Sequence, residues 1–304
     1  MSHINSFMKT IGFQGIKNQR QLDQLLNWIV TNYDRDAVIP VPDADTTYVQ
    51  VWKEFGNGFG ISIVGELEDD EINVEYSYPY VRGCEIDEKM DLQIEKLSSR
   101  EAYAGVSENV NVGVSLIFFL QNADEFLRTH HAKDYYFVGE RVHLAGLASK
   151  GVVLLELNKD DEQREQEKEK NKDRNQLIEA ARAGDMKAIE TLTLEDMDTY
   201  TKVTRRSKRE DILTIVDTYF MPYGIESDQY SILGIIYKVE ESENQLTKEK
   251  IYLLSVECNN IHIRIAINRN QLMGEPVCGR RLKANIWLQG TAEFIRWKES
   301  ETRK

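Results

Sequence analysis

The stretch Ile261-His262-Ile263-Arg264-Ile265-Ala266-Ile267-Asn268 decides the fold class of the C-terminal part of this 304-residue chain. Isoleucine occupies every second position, and polar or small residues fill the positions between. Because successive side chains of a strand point to opposite faces, this alternation predicts a β-strand with one buried face. Residues 281–289 repeat the pattern and predict a second strand of the same kind. Its apolar positions are Leu282, Ala284, Ile286 and Leu288.

Two further strands are predicted at residues 230–240 and 250–258, and turns rich in Asn, Gly and Glu separate all four. Several short strands at this spacing are typical of a small antiparallel barrel. We therefore predict a small C-terminal antiparallel β-barrel over residues 225–304. An oligonucleotide-binding-like barrel is the leading candidate.

The polar side of these strands is the candidate ligand face of the chain. Cations interleaved with an aromatic ring suit single-stranded nucleic acid, since bases stack on the ring and phosphates contact the charges. The same pattern also fits a patch that docks the acidic first domain or another protein, or a solvated face with no special role. All three interpretations stay open at this point. The residues of the face are His262, Arg264, Lys283, Asn285 and Trp287.

Residues 1–157 predict an antiparallel sheet with helices on one side. Apolar residues recur at helical spacing over residues 20–33. Strand-like runs follow, and the Asn57-Gly58 pair between two of them is a strong hairpin signal. Residues 114–120 form the most apolar run of the chain and predict a central strand covered on both faces.

The segment after this run predicts a short helix and two more strands. Asn122 is expected to cap the helix, with the Glu125 carboxylate reaching back to the cap, and histidines at positions 130 and 131 close it. Strands are expected at 141–148 and 152–157, separated by a turn at residues 149–151.

Residues 158–224 change character and predict a helical connector. Residues 160–174 are almost all charged and have no apolar stripe, which indicates a solvated helix. A helical hairpin is expected at residues 176–192, with a break at Gly184-Asp185, and new helices are expected to open at Thr193 and near Ser207. The last of these is predicted to run from residue 210 to residue 220.

Together these patterns predict an α+β chain of three parts: an acidic sheet-plus-helix domain at 1–157, a charged helical connector at 158–224 and the barrel at 225–304. The net charge of -13 is unevenly divided between them. Residues 1–157 carry 24 acidic and 13 basic side chains, whereas residues 225–304 carry 11 and 12. Because phosphate contacts require Lys and Arg, nucleic acid is compatible only with the last part.

The sequence predicts no cofactor, metal ligand or catalytic residue. The three cysteines, Cys84, Cys258 and Cys278, form no CxxC spacing, and the histidines do not group with them. The glycines of residues 56–60 lack the spacing and the Lys-Ser/Thr of a phosphate loop. No apolar stretch approaches the roughly 18 residues of a membrane span, and no secretory signal is evident, so a cytoplasmic location is expected.

Two segments carry a resemblance to a known family. The first runs from Asp217 to Gly234, and the second comprises Asn268–Pro276 and continues through Gly279–Gly290. In these segments, and at Ile11-Gly12-Phe13, the chain resembles a family of clostridial proteins known only as a domain of unknown function. The resemblance implies a cytoplasmic bacterial protein and brings no activity, cofactor or catalytic residue.

The leading functional hypothesis is a non-enzymatic binding or scaffold protein that holds a partner between its modules. The partner is expected to be another protein or a second copy of the chain, and no membrane is expected. The first alternative is a single-stranded nucleic-acid-binding module in the C-terminal barrel. The second is an enzyme with a site at the domain junction, which a cleft that gathers carboxylates with displaced pKa values would favour.

Overall fold

The computed structural model describes residues 7–39, 47–97, 102–109, 114–130, 135–157, 173–174, 176–178, 180–181 and 184–298. Its contacts divide the chain into two compact units. Unit 1 contains Met1–Leu154 and Tyr219–Lys304, and unit 2 contains Leu155–Thr218. The predicted α+β class is confirmed, since strands dominate and a few helices accompany them.

In unit 1 a single 3-10 turn (Lys9–Ile11) precedes helix α1 (Gln19–Thr31), whose N-terminus is capped by the Asn18 side chain. A four-stranded antiparallel sheet follows in the order β1-β2-β3-β4. The predicted hairpin joins β2 to β3, and in it Gly58 has φ of +78° while Asn57 does not take a positive φ. The strands are β1 (Arg35–Ile39), β2 (Thr47–Gly56), β3 (Phe59–Glu68) and β4 (Glu71–Val81).

A second, larger sheet of unit 1 is assembled from two distant parts of the chain. The first part supplies β5 (Glu88–Lys89), β6 (Leu92–Lys96), β7 (Tyr103–Asn109), β8 (Val114–Leu120), the short helix α2 (Ala123–His130) and β9 (Tyr135–Leu154). The second part supplies β10 (Tyr219–Pro222), β11 (Gln229–Glu243), β12 (Lys250–Cys258), β13 (Ile261–Asn268), β14 (Leu272–Met273) and β15 (Arg281–Lys298).

Strand β9 joins the two parts of this sheet. It pairs antiparallel with β15 from Arg281 to Lys298 and parallel with β13 and β14. Because β11 pairs both β12 and β15, the pairings β11-β12-β13-β9-β15 return to β11 and form a closed cycle of five strands. The larger sheet is therefore mixed, whereas the sequence predicts only antiparallel pairing.

The C-terminal strands differ from the prediction in one respect that affects the whole architecture. Residues 225–304 were expected to complete a barrel by themselves, but the fifth strand of the cycle comes from residues 135–154. The turn expected at residues 149–151 is also absent, because these residues continue β9 and pair with β15 beside an irregularity at Asn285/Ile286. The two predicted short strands are thus parts of one long strand.

The core consists of two apolar clusters, and β9 contributes to both. Val142 and Leu144 pack in the first cluster with the isoleucines of β13, whereas Ala145 and Leu147 pack in the second with the N-terminal segment and sheet β1–β4. Residues 142–148 of β9 are therefore packed on both faces, and apart from His143 they are all apolar or small. Strand β8 lies between β7 and β15, as its composition predicts.

Unit 2 contains helix α3 (Met186–Arg206) and the short helix α4 (Ile212–Ile215). The Asp185 side chain caps α3, in agreement with the predicted break at Gly184-Asp185. The new helix expected at Thr193 is absent because α3 continues through it. The helix expected over residues 210–220 is also wrong, since its last residues belong to β10 of unit 1. The predicted charged helix lies outside the described residues except for 173 and 174.

Candidate functional site

The aromatic residue of the predicted ligand face is buried in unit 1. Trp287 is only 8% exposed, and its ring lies 5.4 Å from the rings of both Phe7 and Phe119. Its Nε1–H donates to Asp228 Oδ2 at 2.7 Å. With both its ring and its donor engaged, Trp287 offers no free surface for a stacked base.

Two basic residues of the predicted face are engaged with carboxylates. His262 uses its ring Nδ1 and its backbone N–H to contact Glu88 Oε1, at 2.9 and 2.8 Å. Arg264 donates from Nη2 to Glu240 Oε2 at 3.1 Å, and its side chain is largely buried. These contacts hold the short strand β5 and the end of β11 in place, so both residues serve the fold in this arrangement.

The two remaining residues of the predicted face, Lys283 and Asn285, line a cleft of about 640 Å³ in unit 1. We call it the Lys150–Lys283 cleft. It lies where β9, β15 and the β13–β14 connection meet. Its lining residues are Lys150, Gly151, Val152, Asn270, Gln271, Leu272, Met273, Lys283, Ala284 and Asn285.

The register of β9 and β15 brings the polar residues of the cleft together. Lys150 pairs with Asn285, and Val152 pairs with Lys283. Since directly opposed residues of an antiparallel pair lie on the same face, these four side chains share one face of the sheet. The sequence does not predict Lys150 as a site residue, because its local pattern indicates a turn at residues 149–151.

The other wall of the cleft is a short turn held by Asn268. The Asn268 side chain accepts from the Asn270 backbone N–H at 2.9 Å and donates to the Lys9 carbonyl at 3.2 Å. The turn then runs into β14, which pairs in parallel with β9 at Gly151 and Val152. A Cβ added at Gly151 would lie 2.9 Å from Ile267 Cδ1 and 3.2 Å from the Cδ1 atoms of Leu272 and Leu282, so a larger residue there requires these side-chain ends to shift.

The cleft has an uncompensated positive charge. Two of its ten lining residues are lysines and none is Asp or Glu. Across the part of the chain that the structure describes, neither lysine has an ion-pair partner. The side chains of Asn270 and Asn285 add amide donors, whereas Val152, Leu272 and Met273 add apolar surface. This combination suits an anionic ligand with an apolar portion.

One polar atom of the cleft wall is unsatisfied. The Oε1 atom of Gln271 is buried and has no hydrogen-bond partner among the described residues. A buried acceptor without a donor is unfavourable and is uncommon in folded proteins. Nothing in the local sequence predicts this residue as functional, because the fold alone places it beside Lys150 and Lys283.

A second cleft of about 360 Å³ separates β1, β2 and β4 from helix α2, and it gathers carboxylates. These are already paired: Asp34 contacts Lys53 at 2.7 Å, and Asp124 contacts Arg128 at 2.7 Å. Glu54 contacts Arg82 Nη2 at 3.4 Å. The charges of this cleft are thus largely satisfied by the protein itself.

The carboxylates of the second cleft have displaced pKa values of opposite sign. Burial raises the pKa of Asp124 above its usual range, and the attraction of Arg128 only partly offsets it. Burial acts in the same sense on Asp34, but hydrogen bonds from Lys53 and the Glu54 backbone N–H outweigh it and lower its pKa. Burial also raises the pKa of the Tyr80 phenol in this cleft.

The described residues contain neither a grouped set of metal ligands nor a membrane-spanning helix. No group of three or more His, Cys, Asp or Glu side chains is arranged to hold a metal ion within the described ranges. Among the helices that the structure describes, none has both the length and the apolar composition needed to cross a bilayer.

Comparison with known proteins identifies the family. No curated protein and no solved structure matches the chain. A family model does match, over residues 8–290, and its description is "Domain of unknown function, E. rectale Gene description (DUF3881)". The match covers both described units and the Lys150–Lys283 cleft, and it confirms the resemblance seen in the sequence. The chain therefore belongs to the DUF3881 family.

Proposed function

We propose that this chain is a non-enzymatic binding protein and that the Lys150–Lys283 cleft binds a small anionic ligand. The observation that carries the proposal is a pair of lysines that, among the described residues, have no ion-pair partner and line a cleft without a described Asp or Glu. Hydrogen bonds to charged groups are stronger than neutral ones, so an anion there gains two favourable contacts.

The size and composition of the cleft favour a small molecule over a polymer. Its volume of about 640 Å³ falls in the range of small-molecule sites. No aromatic residue is among its ten lining residues, whereas single-stranded nucleic acid typically stacks on aromatic rings. The chain as a whole has a net charge of -13, which repels a long polyanion.

Isothermal titration calorimetry of the full chain with inorganic phosphate, pyrophosphate, citrate and neutral glucose tests this function. We expect binding of the anions alone, weakened at least tenfold in a Lys150→Ala/Lys283→Ala variant and by added salt. Lys250→Ala, an exposed lysine at the start of β12, is the matched control. Equal anion binding by the double variant and the wild type would show that the cleft is not the site.

A second candidate function is single-stranded nucleic-acid binding by the five-strand cycle, which we propose is a barrel of the predicted type completed by β9. It is favoured by Lys283 and Asn285, two predicted face residues that line the cleft. Fluorescence anisotropy with labelled single-stranded RNA and DNA tests it. Binding that strengthens with strand length and weakens with salt supports this candidate, and its absence at low salt removes it.

The remaining alternatives rest on weaker observations. An enzymatic site would use the second cleft, where Asp124 has a raised pKa, but its carboxylates are paired within the protein. The protein partner, the second copy of the chain and the cytoplasmic location stay predictions from the sequence.

A further inference from the structure

We infer that the ligand of the Lys150–Lys283 cleft is a nucleoside phosphate: a phosphate joined through a hydroxyl-bearing sugar to a planar base. The inference rests on the proposed function and specifies its ligand class. Three separate features of the cleft carry it, one for each portion of such a ligand.

The phosphate portion fits the two lysines. Lys150 lies directly opposite Asn285, and Lys283 is two residues from Asn285 on the same face of β15. Diagonal neighbours of this kind are roughly 7–8 Å apart in an antiparallel pair, a separation that two flexible lysine side chains readily close. The Lys150 and Lys283 ammonium groups can therefore converge on one phosphate, and the Asn285 amide between them can donate to it.

The sugar portion fits Gln271. Its Oε1 is a buried acceptor that lacks a donor, and a sugar hydroxyl is a donor of the right kind. The two ends of a glutamine amide are nearly equal in size, so a half-turn of the amide can present the oxygen to a ligand. Inorganic phosphate at neutral pH is mainly an acceptor and satisfies this atom poorly. Gln271 thus distinguishes a hydroxyl-bearing phosphate from a bare anion.

The base portion fits the apolar wall. Leu272 and Met273 follow Gln271 directly, and the Met273 side chain is 70% exposed although it lines the cleft. A methionine thioether is polarisable and adapts to aromatic rings, so it is a suitable contact for a planar base. Val152 on β9 extends the same apolar surface beneath the phosphate site.

The competing candidates fit these features less well. A sugar phosphate without a base uses the lysines and Gln271 but leaves the apolar wall empty. A small dicarboxylate uses the lysines alone. A longer strand needs further cations outside the cleft, but Arg264 of the predicted face is engaged with Glu240, and His262 contacts Glu88.

Calorimetric titration of the full chain with adenosine monophosphate, ribose 5-phosphate, inorganic phosphate and adenosine separates the three portions. We expect affinity to fall in the order adenosine monophosphate, ribose 5-phosphate, inorganic phosphate. Gln271→Met should weaken the first two ligands about tenfold and leave inorganic phosphate unchanged. Met273→Ala should weaken only adenosine monophosphate, and Met221→Ala on edge strand β10 is its control.

The outcomes of these titrations separate the nucleotide inference from the proposed function. If anions bind through the lysines but all phosphates bind alike and Gln271→Met has no effect, the nucleotide inference is wrong and the proposed function stands. If no anion binds, both are wrong. If a labelled single strand of eight nucleotides binds far more tightly than adenosine monophosphate, the single-stranded nucleic-acid candidate replaces the small-molecule ligand.

Discussion

Trp287 illustrates at the scale of one residue how a strand pattern specifies two faces without identifying which of them is exposed. The alternation in β15 assigns Trp287 to the polar face, yet the rings of Phe7 and Phe119 cover that face. Both covering residues are far away in sequence, so no local signal could reveal them. Lys283 and Asn285 lie on the same strand and line a cleft.

Replacing Trp287 should therefore affect folding before it affects binding. Trp287→Ala removes a buried aromatic side chain and should lower the free energy of unfolding by about 3–5 kcal/mol. Trp287→Phe keeps a ring and loses mainly the hydrogen bond to Asp228, so its cost should be clearly smaller. Urea unfolding followed by circular dichroism measures both values. An unchanged free energy in Trp287→Ala would contradict the buried placement.

The three thiols should differ in reactivity. Burial raises the pKa of Cys258 to about 12, and Cys84 is also buried, whereas Cys278 is exposed. Because the thiolate is the reactive form, iodoacetamide at pH 8 should modify Cys278 in the folded protein and all three residues in urea. Peptide mass spectrometry locates the labels. Rapid labelling of Cys258 without denaturant would show that β12 is not packed as described.

Asp124 should give the stability a specific pH dependence. Its folded-state pKa is raised above the ordinary 3.8, so the folded state favours its protonated form. Its contribution to stability is present at low pH and is lost as the pH rises through the folded pKa. Asp124→Asn has no carboxyl to ionise and so does not lose this stability. The free energy of unfolding of Asp124→Asn minus that of wild type should therefore increase from pH 4 to pH 7. Urea unfolding at several pH values checks this difference, and a fall would contradict the raised pKa.

At the scale of elements, local patterns predicted individual strands well. The predicted strands at residues 250–258 and 261–268 coincide with β12 and β13, because alternation and flanking turns are short-range signals. Local patterns do not predict which strands pair with each other. The β9–β13 and β9–β15 pairs join residues more than a hundred positions apart, and apolar strands of similar composition have many possible partners. The cleft depends on these pairings, so the sequence revealed only part of it.

The close packing around Gly60 in the β2–β3 hairpin can be tested by adding a side chain there. A Cβ added at Gly60 would lie 2.0 Å from the Lys53 carbonyl oxygen and 2.9 Å from the Tyr80 hydroxyl. Gly60→Ala should therefore lower the free energy of unfolding by about 1–3 kcal/mol. Gly15→Ala is the matched control, since nothing lies within 4 Å of a Cβ there. Equal stability of the two variants would contradict the described hairpin.

At the scale of the whole molecule, β9 pairs with strands of the predicted C-terminal domain although it lies outside residues 225–304. Residues 225–304 produced alone should therefore give the narrow amide proton range of an unfolded chain in a two-dimensional NMR spectrum. Addition of residues 1–157, which contain β9, should restore part of the dispersion of the full chain. A well-dispersed spectrum from residues 225–304 alone would show that these strands form an independent barrel after all.

The discontinuity of unit 1 also has a consequence for synthesis. Strand β9 leaves the ribosome long before β13 and β15 are translated, since elongation proceeds at roughly 5–20 residues per second. For several seconds or more, the nascent polypeptide thus exposes a strand whose central residues 142–148 the finished molecule packs on both faces. During that interval, a chaperone that binds extended apolar segments can bind β9. The interval ends only when β15, the last strand, emerges from the ribosome.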